Sequence, residues 1–96
     1  MATRAVSPGR RCRHEVMADV LEYLAAVGRA RISWIARFAN LSLDRARRLL
    51  GEMAFYGLVE EVVEDDGRYY KVSERGYEYI ELWRRLRTLV GSSAPP

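Results

Sequence analysis

Three guanidinium groups fall within four residues at Arg45, Arg47 and Arg48. A guanidinium is planar, always charged and forked. It therefore pairs bidentately with phosphate oxygens or with the O6 and N7 acceptors of guanine. Arg45 and Arg48 stand one helical turn apart, off the apolar positions Leu43, Ala46, Leu49, Leu50 and Met53. Their expected chemistry is contact with base edges. Ser42, Arg31 and Arg47 are expected to hold backbone phosphates and set the register. Little else in the chain is equipped for chemistry. Cys12 is the single cysteine and His14 the single histidine, and two ligands fall short of the four a zinc site needs. Asp65-Asp66 sits at a turn tip with no pocket, a poor place for an acid/base pair. No glycine loop is present to cradle a phosphate. The expectation is a non-enzyme with no cofactor, no metal and no small-molecule ligand.

The elements that must carry these arginines are legible. Ile32, Ile35 and Ala39 mark the inner face of one helix. The stripe through Met53 marks a second, spanning about 42–56. Between them Asn40 tolerates the left-handed conformation that ends a helix, Ser42 is a good N-cap, and Asp44 suits the first turn. Two short helices with so tight a bend form a helix-turn-helix, whose second helix enters a DNA major groove. Ahead of it, Arg13–Val27 reads as a helix with Val16, Met17, Val20, Leu21, Leu24 and Val27 inward, closed by Gly28. Trp34 is expected to pack against another element. After Tyr56 and the terminator Gly57, Leu58–Val63 and Arg68–Ser73 read as strands, with Asp66-Gly67 as a two-residue turn. That register pairs Val63 with Tyr70 and Glu61 with Val72. It turns Tyr70 and Val72 to the core and Tyr69 and Lys71 to the open face. Ser73 caps a last helix, Glu74–Val90, with Gly76 placed for close packing.

The last helix has more apolar surface than its small domain can cover. Tyr79, Trp83, Leu86 and Val90 repeat at spacing 4-3-4, and Ile80, Leu82 and Leu89 widen the stripe. A homodimer seam of Tyr79, Leu82, Trp83, Leu86, Leu89 and Val90 is expected, with Arg84, Arg85 and Arg87 solvated or paired with Glu78 and Glu81. No apolar run approaches the roughly 20 residues of a membrane helix, so a cytoplasmic, nucleoid-associated protein is expected.

Net charge is +3 over 96 residues, but its distribution says more. Residues 1–48 carry ten arginines against four acids, and residues 49–96 carry six basic groups against nine acids. The positive field gathers on the N-terminal arm and the helix-turn-helix, as phosphate binding requires. The hairpin tip runs against this, because Glu64-Asp65-Asp66 would be repelled by phosphate. Either only its base, Arg68 and Lys71, meets DNA, or Glu60, Glu61, Glu64, Asp65 and Asp66 form a surface for a protein partner. A protein–protein interaction module is therefore the alternative.

The order of helix, helix-turn-helix, hairpin and long helix resembles the small archaeal winged helix-turn-helix transcriptional regulators, a family also encoded by crenarchaeal viruses. The resemblance covers roughly residues 15–90. It rests on Asp19-Val20-Leu21, on Ile35 with Ala39-Asn40-Leu41-Ser42, on Gly57-Leu58-Val59, on Tyr69-Tyr70 with Val72-Ser73, and on Gly76. It implies duplex DNA binding and dimerisation through the C-terminal helix. Ser33 and Trp34 depart from the family's usual Thr or Lys before Ile35, and the hairpin is unusually acidic. The fold class expected is α+β, mainly α: a winged helix-turn-helix at 13–90 with dimerisation helix 74–90. A disordered basic arm at 1–12 and a disordered tail at 91–96 are expected to flank it.

Overall fold

The structure is a computed structural model that describes residues 12–90. The basic arm, with Arg4, Arg10 and Arg11, and the tail from Gly91 lie outside the described residues, save Cys12. Four helices and one hairpin follow in order: α1 (Arg13–Val27), α2 (Ile32–Ala39), α3 (Leu43–Phe55), β1 (Val59–Glu64), β2 (Gly67–Val72) and α4 (Glu74–Val90). The boundaries have local causes. Cys12 caps α1, its Sγ accepting from the Glu15 N–H. Gly28 closes α1 at φ 92°, donating to the Leu24 carbonyl at 2.8 Å. Asn40 takes the left-handed conformation (φ 60°, ψ 48°), and the next amide, Leu41, donates to the Ala36 carbonyl at 2.8 Å. Ser42 then starts α3, its Oγ accepting from the Arg45 N–H at 3.2 Å. Tyr56 is a cap residue just outside α3, and Gly57 at φ 78° turns the chain into the hairpin.

One core holds these elements. Val20, Leu21, Leu24, Ile35, Leu50 and Met53 are its fully buried large side chains, joined by Met17, Leu58, Val59, Val72 and Ile80. Each such side chain stabilises the fold by about 1.5–3 kcal/mol on burial. Val27 and Leu43, expected inside, are half exposed, being the last residue of α1 and the first of α3. Ser73 knots the base of the wing. Its hydroxyl donates to the Gly57 carbonyl and accepts from the Gly76 N–H at 3.0 Å, while its own N–H reaches the Leu58 carbonyl at 3.0 Å. Gly76 lies so close to β1 that a Cβ there would sit 2.2 Å from the Leu58 oxygen.

The hairpin corrects the expected register by two residues. Val59 pairs with Val72, Glu61 with Tyr70, Val63 with Arg68 and Glu64 with Gly67, so the turn is Asp65-Asp66 rather than Asp66-Gly67. Gly67 instead opens β2 at φ 140°, where a Cβ would meet the Arg31 Nη1 at 3.1 Å. Arg31 is also the reason the turn sits there, since its Nη2 donates to the Asp66 carbonyl at 2.9 Å. A slip of two keeps each residue on its face, and Val72 and Tyr70 do pack on the core. Tyr69, expected on an open face, is only 4% exposed. Residues 29–31 run beside β2 and join it through an isolated antiparallel Ala30–Tyr70 bridge. They lay Arg29 and Arg31, with Trp34 of α2, over the Tyr69 ring.

Candidate nucleic-acid interface

Helix α3 presents its arginines outward because Ala46, Leu50 and Met53 anchor its opposite face in the core. Arg45 and Arg48 are exposed, and neither has a carboxylate partner among the described residues. Both line a hollow of about 420 Å³ between α3 and the start of α1, floored by Val16, Leu41 and Leu49. Its far wall is an ion pair between Arg13 and Glu52. Arg47 leans the other way, toward the wing. It lies 3.4 Å from Asp44, and its charge acts on the Tyr70 hydroxyl. Burial is the main cause that raises the Tyr70 pKa, against the opposing pull of Arg68 and Arg47. Ser42 uses its hydroxyl oxygen as the α3 cap.

The wing cations are paired across the two strands. Arg68 reaches Glu61 at 3.3 Å, and Lys71 lies 3.8 Å from Glu60. Arg31, the N-cap residue of α2, is also engaged. Its Nη2 bonds the Asp66 carbonyl at 2.9 Å, the Asp66 carboxylate at 3.3 Å and the Tyr69 hydroxyl at 3.1 Å. The Tyr69 hydroxyl donates to the same carboxylate at 2.8 Å. That bond is the leading cause holding the Asp66 carboxyl below the ordinary aspartate range, with Arg31 and Arg29 adding to it. Arg29 stacks 4.1 Å over the Tyr69 ring and pairs with Glu64, which raises the guanidinium pKa further. Sequence reasoning missed this network around Arg29, Glu64 and Tyr69. Its signal was the pair Arg29 and Arg31, spaced by two in an extended segment and so on one side of it.

The expected dimer residues separate into two groups. Tyr79 and Trp83 are partly buried, and the Tyr79 hydroxyl donates to the His14 carbonyl at 3.2 Å. Burial raises the Tyr79 pKa. Leu82, Leu86, Leu89 and Val90 are exposed at 56%, 50%, 83% and 72%. With Cys12 and His14, the first four seam residues line a nearly all-apolar hollow of about 450 Å³. Arg84 takes neither expected partner and instead bonds Glu22 of α1 at 3.2 Å. Among the described residues no three His, Cys, Asp or Glu side chains group as a metal site, and no helix is long and apolar enough to cross a membrane.

A helix-turn-helix followed by a two-stranded antiparallel wing and a long closing helix defines the winged-helix class of transcription-regulator folds. The chain belongs to the winged helix-turn-helix family, whose model matches residues 10–90. Solved structures agree on the fold. The oxidised form of MarR from E. coli superposes with a TM-score of 0.70 at 18% identity, over 75% of this chain and 53% of that one. Sso10a-2, a DNA-binding protein from Sulfolobus solfataricus, gives 0.66 at 21% identity over 86% and 87% of the two chains. The transcriptional regulator BldR from Sulfolobus solfataricus gives 0.68 at 14% identity over 80% and 58%. The chain thus spans little more than half the length of the MarR protein it resembles. No curated protein matches the sequence.

Proposed function

We propose that this protein is a homodimeric, sequence-specific regulator of transcription that binds double-stranded DNA through α3 in the major groove. One observation carries the reading. Arg45 and Arg48 stand exposed, with no carboxylate partner among the described residues, on the outer face of the helix that a winged helix offers to DNA, while the wing's cations Arg68 and Lys71 each have one. Arg45 and Arg48 read base edges, each good arginine–guanine pair giving about 1–3 kcal/mol of discrimination. Arg47, Ser42 and Arg31 hold phosphates, and Arg68 and Lys71 approach the backbone from the wing. Self-association through Tyr79, Leu82, Trp83, Leu86, Leu89 and Val90 covers the exposed apolar face of α4 and sets two recognition helices about 34 Å apart, one helical turn of DNA. The protein acts on chromosomal DNA in the cytoplasm.

The alternative, a protein-binding module that uses the acidic wing, has less support. Glu60, Glu61, Glu64 and Asp66 already face Lys71, Arg68, Arg29 and Arg31 within the chain. Titration of genomic duplex fragments at several salt concentrations tests the proposal. Affinity should fall steeply with salt and collapse in the Arg45→Ala/Arg48→Ala double variant. Salt-independent binding, or full binding by the double variant, overturns it.

A further inference from the structure

We propose that Asp66 and Tyr69 are positioning residues for Arg31. By this inference the acidic wing tip orients a phosphate-binding cation and is not itself a contact surface. The inference rests on the DNA-binding reading above. The geometry is specific. Asp66 and Tyr69 place three oxygens around Arg31 Nη2, at 2.9, 3.1 and 3.3 Å. The Tyr69 hydroxyl joins the arrangement by donating to the Asp66 carboxylate at 2.8 Å, and the Tyr69 ring is fixed by burial. Gly67 lets the guanidinium lie flat against the turn, where any side chain would crowd Nη1. Arg31 gives only Nη2 to this latch. Nη1 and Nε have no partner among the described residues, so both remain donors for an anion.

A long arginine that meets a phosphate ordinarily loses rotamer freedom at that moment. Here the loss is already incurred in folding, at the corner where the wing meets the N-terminus of α2. The reading also explains why acids are tolerated at the tip of a wing in a DNA-binding fold. Glu64 and Asp66 are each matched by an arginine from residues 29–31, and only Asp65 has no partner among the described residues.

Asp65 supplies the test, because Asp65→Asn and Asp66→Asn remove the same charge one residue apart. Phosphate contacts are blind to sequence, so mixed-sequence duplex DNA is a sufficient probe. Electrostatics alone predicts that both variants bind duplex at least as well as the parent. Positioning predicts that Asp65→Asn does so while Asp66→Asn and Tyr69→Phe each bind about three- to ten-fold more weakly. Their slope of log affinity against log salt should fall by about 0.9, as for Arg31→Ala, the loss of one phosphate contact. In an Arg31→Ala background, Asp66→Asn should bring no further loss, which a merely unfolded wing would not reproduce. Binding by Asp66→Asn that is unchanged or tighter overturns the positioning role, as does an equal loss with and without Arg31. If that happens while Arg45→Ala/Arg48→Ala still abolishes binding, the positioning inference fails alone. If the parent protein shows no salt-dependent duplex binding, both readings fall.

Discussion

Adding one methyl group at Gly76 tests how tightly α4 is seated on the wing. A Cβ built there lies 2.2 Å from the Leu58 carbonyl oxygen and 2.6 Å from Val72 Cγ1. A carbon–oxygen contact relaxes at about 3.3 Å, so α4 or the start of β1 must retreat by roughly 1 Å. Neither can move freely. The Leu58 carbonyl also accepts from the Ser73 N–H, and Val72 belongs to the core. Overfilling a packed interior costs about 1–3 kcal/mol, and the better helix propensity of alanine offsets at most ~1 kcal/mol of that. An approach of 2.2 Å to a backbone oxygen calls for the upper part of that range, about 2–3 kcal/mol, so the clash wins by about 1–2 kcal/mol. For a domain of this size that lowers Tm by about 4–16 °C.

Gly51 is the internal control. It lies in α3 with nothing within 4 Å of its would-be Cβ, so only propensity acts. Gly51→Ala should stabilise by about 0.5–1 kcal/mol and raise Tm by about 2–8 °C. Thermal melts followed by circular dichroism at one fixed protein concentration read both variants. The account is refuted if Gly76→Ala melts within about 2 °C of the parent or above it, a shift smaller than the least expected from the clash.

Other outcomes follow from the same geometry. Leu82→Glu/Leu86→Glu should convert the proposed dimer to a monomer in sedimentation equilibrium while leaving the helical signal intact; a dimeric double variant would place the seam elsewhere. Ser73→Ala removes the cap of α4 and the tie to Gly57 together and should destabilise by about 1–2 kcal/mol in urea unfolding. A change below about 0.5 kcal/mol would contradict that. Because the Asp66 pKa is depressed in the folded protein, the latch's contribution to stability is complete above about pH 4, the ordinary carboxylate range. It is lost as pH falls through the lower folded value. Tyr69→Phe removes the leading cause, so the Asp66 carboxyl should titrate at higher pH by NMR. Identical titration curves would show that the hydroxyl is not what holds it down.

The sequence yielded most of the fold because its signals were local. Asn40 and Ser42 mark a helix end and a helix start within three residues, and the structure puts a left-handed residue and a capping hydroxyl at those positions. The outward placement of Arg45 and Arg48 followed from spacing against Ala46, Leu50 and Met53. Failures came where distant residues decide the outcome. Asp66-Gly67 is a good local turn, but Arg31, 35 positions upstream, binds the Asp66 carbonyl and shifts the turn back by one residue. The burial of Tyr69 depends on the same upstream segment, since nothing in residues 58–73 reveals that Arg29 and Arg31 will cover it. Arg84 has Glu81 one turn away on its own helix yet bonds Glu22, which only the α1–α4 contact brings near.

The Ala30–Tyr70 bridge has a mechanical corollary. It bonds the wing to the lead-in of α2 at 3.0 and 2.8 Å, so the hairpin and the helix pair share one rigid chassis. A hand built this way closes on its object without flexing its fingers. For the dimeric DNA-binding protein proposed above, any adaptation to half-sites spaced differently must then come from the joint between two copies, and the tolerance of that joint would set which spacings are read.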